Sequence, residues 1–196
     1  HPSLGISYNT THKAGGCVNR WGNYSTSVPD IDDGKWHQVV FSGSNVNANT
    51  ADMKIYVDGR LSDEMNEPFP VQPWAENLYI GKRANERYFN GVIDEVEIYS
   101  RVLTPAEVLS NYNSISASAD ESHTVLLHFD EGSGSITHDS AGNGNDGTIN
   151  GATWVNDDFG NALTFDGIND FVDVPLKSSL AGDVTFSLWM KNNYIT

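Results

Sequence analysis

Phe89-Asn90-Gly91-Val92-Ile93-Asp94-Glu95-Val96-Glu97-Ile98-Tyr99 carries the most information about the fold. Its β-branched and aromatic residues alternate with charged ones at period two, which writes a strand. As a regular strand, Val92, Asp94, Val96 and Ile98 share one face, and Ile93, Glu95, Glu97 and Tyr99 the other. Asp94, alone among apolar neighbours, must then be hydrogen-bonded, ion-paired or metal-bound. Just downstream, Thr104-Pro105-Ala106-Glu107 supplies an N-cap hydroxyl, a proline at the first helical position and a glutamate to close a capping box. Leu103 and Val108 stand at the two positions of a hydrophobic staple. The helix is expected to end near Asn111 to Asn113, and the polar stretch from Ser114 to Ser122 reads as a linker.

Outward from this segment the chain is a run of short strands separated by Gly, Asn, Asp and Ser. Trp36 to Phe41 follows a turn at Asp32-Asp33-Gly34-Lys35. Met53 to Val57 runs into Asp58-Gly59, a pair that accepts the positive φ angles of a type I′ hairpin, with Arg60-Leu61 beginning the return strand. Leu78 to Ile80, Val125 to Phe129, Ala162 to Phe165, Phe171 to Val174 and Val184 to Met190 complete the set. Helical periodicity is otherwise nearly absent, so the expected class is all-β: a two-sheet antiparallel sandwich with one short helix.

Of the 196 residues, 38% are hydrophobic, enough for one sizeable core, and the net charge is −15. That charge argues against nucleic acid or anionic membranes as partners. No apolar run approaches the length of a membrane span. The charge is uneven: residues 1–116 hold 9 basic and 14 acidic side chains, residues 117–196 hold 2 and 12. The second segment is therefore either a solvated acidic face or the site of a bound cation.

The Asp139 to Gly147 loop sharpens that choice. Asp139, Asn143, Asn145 and Asp146 are oxygen donors in a glycine-loosened segment, and together with Asp94 they form the expected Ca²⁺ ligand set. The competing reading is a turn cluster closed by side-chain to backbone hydrogen bonds. Asp166 and Asp170 flank Gly167 and fit hairpin chemistry better than a metal site. Glu95 and Glu97 have the residue type and approximate spacing of a glycoside-hydrolysing carboxylate pair, weighed against two solvated surface acids. Trp21, Tyr24, Trp74 and Tyr88 lie in Gly/Asn/Pro-flanked surroundings and are candidate sugar platforms, whereas Trp36, Trp154 and Trp189 are assigned to the core. Gly132-Ser133-Gly134-Ser135 does not fit a nucleophile elbow. The six histidines (His1, His12, His37, His123, His128, His138) show no zinc spacing. The lone Cys17 has no disulfide partner and sits near His12 only in sequence. Asn9 and Asn23 fit glycosylation acceptors in a eukaryotic secretory pathway.

Two groups of motifs, three in each, resemble a laminin-G-like, concanavalin-A-like jelly roll. Asp33-Gly34-Lys35-Trp36-His37-Gln38, Ile55-Tyr56-Val57-Asp58-Gly59 and the 89–107 segment are similar to the C-terminal half of such a domain. Leu127-His128-Phe129-Asp130-Glu131-Gly132, Asp139 to Gly147 and Phe165-Asp166-Gly167-Ile168-Asn169-Asp170-Phe171-Val172 are similar to its N-terminal half. The expected organisation is residues 1–116 as the C-terminal half, 117–122 as linker and 123–196 as the N-terminal half, together one permuted sandwich. A piece of tandem repeats, or closure by domain swapping or repeat-array self-association, is the alternative. The resemblance implies a calcium-stabilised adhesion or targeting module, extracellular or at the cell surface, that binds a glycan or a protein. Jelly-roll glucanases carry Glu-x-Asp-x-Glu on such a strand. Ile93, Glu95 and Glu97 stand there instead, removing the presumed nucleophile. A polysaccharide hydrolase and a purely structural repeat are the rival readings.

Overall fold

The structure, a computed structural model, describes residues 5–8, 14–17, 31–47, 50–67, 77–83, 87–114, 120, 122–157 and 159–193. Strands β1 (Gly5–Tyr8) and β2 (Ala14–Cys17) pair with each other. Strands β3 (Trp36–Asn47), β4 (Thr50–Val57) and β5 (Arg60–Glu67) form a meander. Then come β6 (Leu78–Ile80), the small hairpin β7 (Lys82–Arg83) and β8 (Arg87–Tyr88), β9 (Asn90–Tyr99) and helix α1 (Pro105–Ser114). The remainder is β10 (His123–Leu127), β11 (Ile136–Thr137), β12 (Gly147–Asn150), β13 (Thr153–Asp157), β14 (Gly160–Asp166), β15 (Phe171–Val174) and β16 (Val184–Asn192).

The larger antiparallel sheet runs β13-β14-β9-β16-β3-β4-β5, with β10 joined to β9, and the smaller runs β11-β12-β15-β6. Strands from either side of α1 interleave in both: β16 lies between β9 and β3, and β15 pairs with β6. Between the sheets, Ile93, Val96, Ile98, Val125, Leu127, Leu163 and Phe165 pack against Leu78, Ile80, Val172 and Val174. Each such side chain contributes about 2 kcal/mol of apolar burial. A second cluster, Val39, Phe41, Met53, Ile55, Val57 and Met190, extends the core along β3 and β4.

Local signals act as expected at two places. Asp58 and Gly59 take φ of 50° and 74°, the two left-handed residues of a type I′ turn between β4 and β5. At the start of α1, Glu107 N–H donates to Thr104 Oγ1 at 3.3 Å and Thr104 N–H donates to Glu107 Oε2 at 2.7 Å, closing the capping box. The helix lies on the outer face of the larger sheet, where Val108 and Leu103 pack on Val40, Tyr56 and Tyr99. Leu103 N–H also donates to Thr185 Oγ1 at 3.0 Å, which anchors the approach to the helix.

Strand β9 departs from regular alternation. Ser187 of β16 stands opposite Glu97, yet Trp189, two residues on, stands opposite Asp94, three residues back. The extra residue makes a β-bulge, and Glu95 takes φ 48° within it. One extra residue turns every later side chain over. The core positions are therefore Ile93, Val96 and Ile98, and Asp94, Glu97 and Tyr99 belong with the opposite face. The expected face assignment, with Asp94 beside Val96 and Ile98, is corrected accordingly. Phe129, expected to end the Val125 strand, lies beyond β10 with φ 55°.

Candidate functional site

The bulge is also where β9 changes neighbours, from β14 at residues 90–93 to β10 at residues 96–99. Asp94 and Glu95 lie in that gap, and both are buried. His128, just past β10, meets Glu95 Oε2 through Nδ1 at 2.7 Å. The Glu95 carboxylate raises the His128 pKa against the opposing effect of burial. Asp94 has a buried Oδ1 with no hydrogen-bond partner among the described residues. Burial first, then the charges of Glu95 and Asp130, push its carboxyl up to about 8. Glu95, next to Asp94 in the chain, and Phe129, between His128 and Asp130, are both non-glycine residues in left-handed backbone. Strain of that kind persists where surrounding structure enforces it and gathers at functional sites.

Glu97 belongs to a different centre. Its Oε2 accepts from the Tyr99 hydroxyl and, at 3.5 Å, from Asn111 Nδ2 of α1, while Oε1 accepts from Ser187 Oγ at 3.4 Å. His123 Nε2 lies 3.6 Å from Oε2. Burial and the Glu97 charge push the Tyr99 phenol well above its ordinary range. Glu97 is 1% exposed and Glu95 5%. A hydrolytic pair needs both carboxyls open to one glycosidic bond and to water. Here each is enclosed by its own partners, so the expectation of two solvated surface acids is corrected to two buried carboxylates.

The Asp139 loop is closed by hydrogen bonds to its own side chains. Asp139 Oδ1 accepts from Leu126 N–H at 3.0 Å and Ala141 N–H at 3.1 Å; Oδ2 accepts from Asn145 N–H at 3.0 Å and Asn145 Nδ2 at 3.2 Å. Asn145 Nδ2 also donates to Thr124 O, and its Oδ1 accepts from Lys177 N–H at 2.8 Å. Asn143 Nδ2 donates to the carbonyls of His123 and Thr124. Asp146 Oδ1 accepts from Asp139 N–H at 2.9 Å. Asp139 and Asn145 are thus engaged by N–H donors of the loop and its neighbours. Asp94, whose charged neighbours are Glu95, Asp130 and His128, keeps the unused oxygen. Asp166 and Asp170 act as turn residues: Asp170 Oδ2 accepts from Asp166 N–H and Asp166 Oδ1 from Ile168 N–H.

Of the expected sugar platforms, Trp21, Tyr24 and Trp74 lie outside the described residues. Tyr88 pairs across the β7–β8 hairpin with Lys82. The Lys82 ammonium lies 3.9 Å from the ring centroid of Tyr79 and 3.4 Å from that of Phe171. Those two rings meet edge to face at 5.9 Å on the outer side of the smaller sheet. Asp173 stands opposite Tyr79 and accepts from Asn77 Nδ2 at 2.7 Å; Thr148 stands opposite Asp173, and Asn150 opposite Phe171. Tyr79 is 38% exposed. Sequence reading missed this grouping because Tyr79 and Phe171 sit in ordinary strands 92 residues apart, and only the β15–β6 pairing joins them.

The fold and these surfaces define a two-sheet antiparallel β-sandwich with one covering helix and an exposed aromatic and polar sheet face. The chain belongs to the concanavalin A-like lectin/glucanases superfamily, whose Laminin_G_3 family model matches residues 5–109. No curated protein and no solved structure matches the chain. No helix among the described residues is long and apolar enough to cross a membrane.

Proposed function

We propose that this protein is a non-hydrolytic glycan-binding module of a secreted or cell-surface protein, stabilised by calcium. The observation that carries the reading is the Tyr79–Phe171 face. Aromatic rings offer their faces to the C–H side of a sugar, while the Asp173 carboxylate, the Asn77 and Asn150 amides and the Thr148 hydroxyl offer hydrogen bonds to its hydroxyls. Lys82 covers both rings and is displaced or joins the contact when a sugar arrives. Superfamily membership supports a lectin-type role. The enclosure of Glu95 and Glu97 supports binding without turnover.

The calcium part rests on Asp94. Its unpartnered buried oxygen is the donor a hard cation needs, and Asp94 with Asp130 are the residues that would hold it. Calcium there would cancel the repulsion among Asp94, Glu95 and Asp130.

Binding to a glycan array, followed by calorimetry on the best ligand, tests the module. Phe171→Ala and Tyr79→Ala are expected to abolish binding without altering the fold, and no reducing sugar is released. Undiminished binding by both variants, or protein-only capture, overturns the glycan reading. For the cation, a chelator is expected to lower the melting temperature and Ca²⁺ to restore it in the wild type but not in Asp94→Asn. An unchanged melting temperature overturns the calcium reading alone.

A further inference from the structure

Residues 79–82 and Phe171 form a seat for an ammonium on the outer face of the smaller sheet. In an unbroken strand Lys82 would share the inward face of Ile80. Gly81 prevents that: it takes φ 83°, and a Cβ there would come within 2.5 Å of the Phe165 ring. Phe89 N–H donates to Gly81 O at 2.8 Å and fixes the turn. The left-handed glycine brings Lys82 over the outer rings, its ammonium 3.4 Å from the Phe171 centroid and 3.9 Å from that of Tyr79. The two rings stand at 78° and 5.9 Å, the walls of a notch that holds one ammonium. The notch is open to solvent, since Tyr79 is exposed and Phe171, Asp173 and Lys82 are half-buried.

Among the described residues the Lys82 ammonium makes no hydrogen bond or ion pair, so the ring faces are what hold it. Their negative faces attract a cation and give a neutral group no such return. The chain's net charge of −15 adds to that attraction. Asp173 stands on the same face, opposite Tyr79, and among the described residues only its Oδ1 is engaged, by Asn77 Nδ2 at 2.7 Å. Beyond it, the Thr148 hydroxyl and the Asn150 amide oxygen make no hydrogen bond among the described residues. The lysine of a protein partner would fill the notch with its ammonium, but its methylene stem would leave those polar groups unused. A sugar with an ammonium beside its hydroxyls engages both.

We propose that the ligand of the Tyr79–Phe171 face is a cationic glycan with free-amine hexosamine residues, whose ammonium takes the seat that Lys82 fills in its absence. The inference rests on the reading of that face as the glycan site and names its ligand class. Lys82 is then a competitor built into the fold, and its own occupancy lowers the apparent affinity. A Lys82 that donated hydrogen bonds to a neutral sugar would have the opposite effect.

Methyl β-glucosaminide, methyl N-acetyl-β-glucosaminide, methyl β-glucoside and Nα-acetyl-lysine methylamide are titrated in turn into ¹⁵N-labelled protein. The pH is held at about 6, where a free sugar amine is protonated, and the amides of Tyr79, Phe171 and Asp173 are followed. The glucosaminide is expected to bind about tenfold more tightly than each of the other three. Lys82→Ala tightens its binding about fivefold, Asp173→Asn weakens it about fivefold and Phe171→Ala abolishes it. Lys82 and Asp173 are not core residues, so these two variants keep the test decisive should Phe171→Ala not fold. Equal binding of glucosaminide and glucoside, equal binding of the lysine amide, weaker binding in Lys82→Ala, or no shifts at all each overturn the inference. In any of those cases, neutral-glycan binding that Phe171→Ala removes leaves the module reading standing, and its absence brings that reading down as well.

Discussion

His128 and Glu95 close the bulge of β9 through a single contact, Nδ1 to Oε2 at 2.7 Å, at the point where β9 passes from β14 to β10. Glu95 occupies left-handed backbone, which costs a non-glycine residue on the order of 1 kcal/mol, so this contact helps to hold a conformation the residue does not favour. Glu95→Ala keeps the backbone cost, loses the charge-assisted bond and is expected to lower stability by about 2 kcal/mol in denaturant unfolding. Glu95→Val adds a β-branched residue at φ 48° and is expected to cost more still. Equal stability of wild type and both variants would remove the bulge contact from the account.

Asp139 concentrates four N–H donors on one buried carboxylate, from Leu126, Ala141 and both nitrogens of Asn145. Asp139→Ala leaves those donors without an acceptor and is expected to destabilise the fold by about 3 kcal/mol or more. Asp139→Asn turns an N–H₂ group toward N–H groups and is expected to be nearly as harmful. Where these N–H bonds are the whole of the Asp139 role, the loss is the same with chelator and with added Ca²⁺. A calcium-dependent difference between wild type and Asp139→Ala would return the loop to the metal site.

What the sequence made legible were the elements whose chemistry is local. Asp58-Gly59 announces its turn, Thr104-Pro105-Ala106-Glu107 its helix, and the alternation of Phe171 to Val174 its strand. The bulge was hidden because no glycine marks it: Glu95 reads as one more charged residue in an alternating run, and the extra residue shows only once β16 is aligned beside it. The Asp139 loop was ambiguous for a different reason, since Asp, Asn and Gly at close spacing serve an ion and a turn equally well. Trp189 resembles a core residue in Val184 to Met190, but alternation sets it opposite Leu188 and Met190, under α1.

The capping box of α1 offers an acid-dependent test. Glu107 accepts from Thr104 N–H and from the Thr104 hydroxyl, and pairs with Arg101 at 2.9 Å. Arg101 first, then the bonds from Thr104, hold its pKa down to about 2. A depressed folded pKa contributes stability that is present above the unfolded glutamate value and is lost as pH falls toward 2. The melting-temperature difference between wild type and Glu107→Gln should therefore be full at pH 6 and shrink steadily below about pH 4.3. Thr104→Ala is expected to cost about 1 kcal/mol at neutral pH. A difference unchanged down to pH 2.5 would contradict the assignment.

His37 titrates in the opposite sense. Its Nδ1 lies 2.8 Å from Asp58 Oδ2 and its Nε2 3.0 Å from Asp33 Oδ1, so only the imidazolium donates to both carboxylates. Asp58 provides the larger upward push on its pKa, Asp33 adds to it, and burial opposes both. Lys35, bonded to Asp33 at 2.6 Å, keeps that carboxyl ionised far into acid. A raised folded pKa contributes stability that is fully present below the unfolded histidine value, about 6.5, and is lost as pH rises through the higher folded value. The bridge ties the entry of β3 to the β4–β5 turn, where Asp58 Oδ1 also accepts from Gln38 N–H at 3.1 Å. His37→Gln should thus lower the melting temperature clearly at pH 5.5 and progressively less at alkaline pH, with added salt shrinking the acid-side difference. ¹⁵N-detected titration of the His37 ring checks the cause directly: a midpoint at or below that of an unstructured histidine peptide would rule out the bridge as its source.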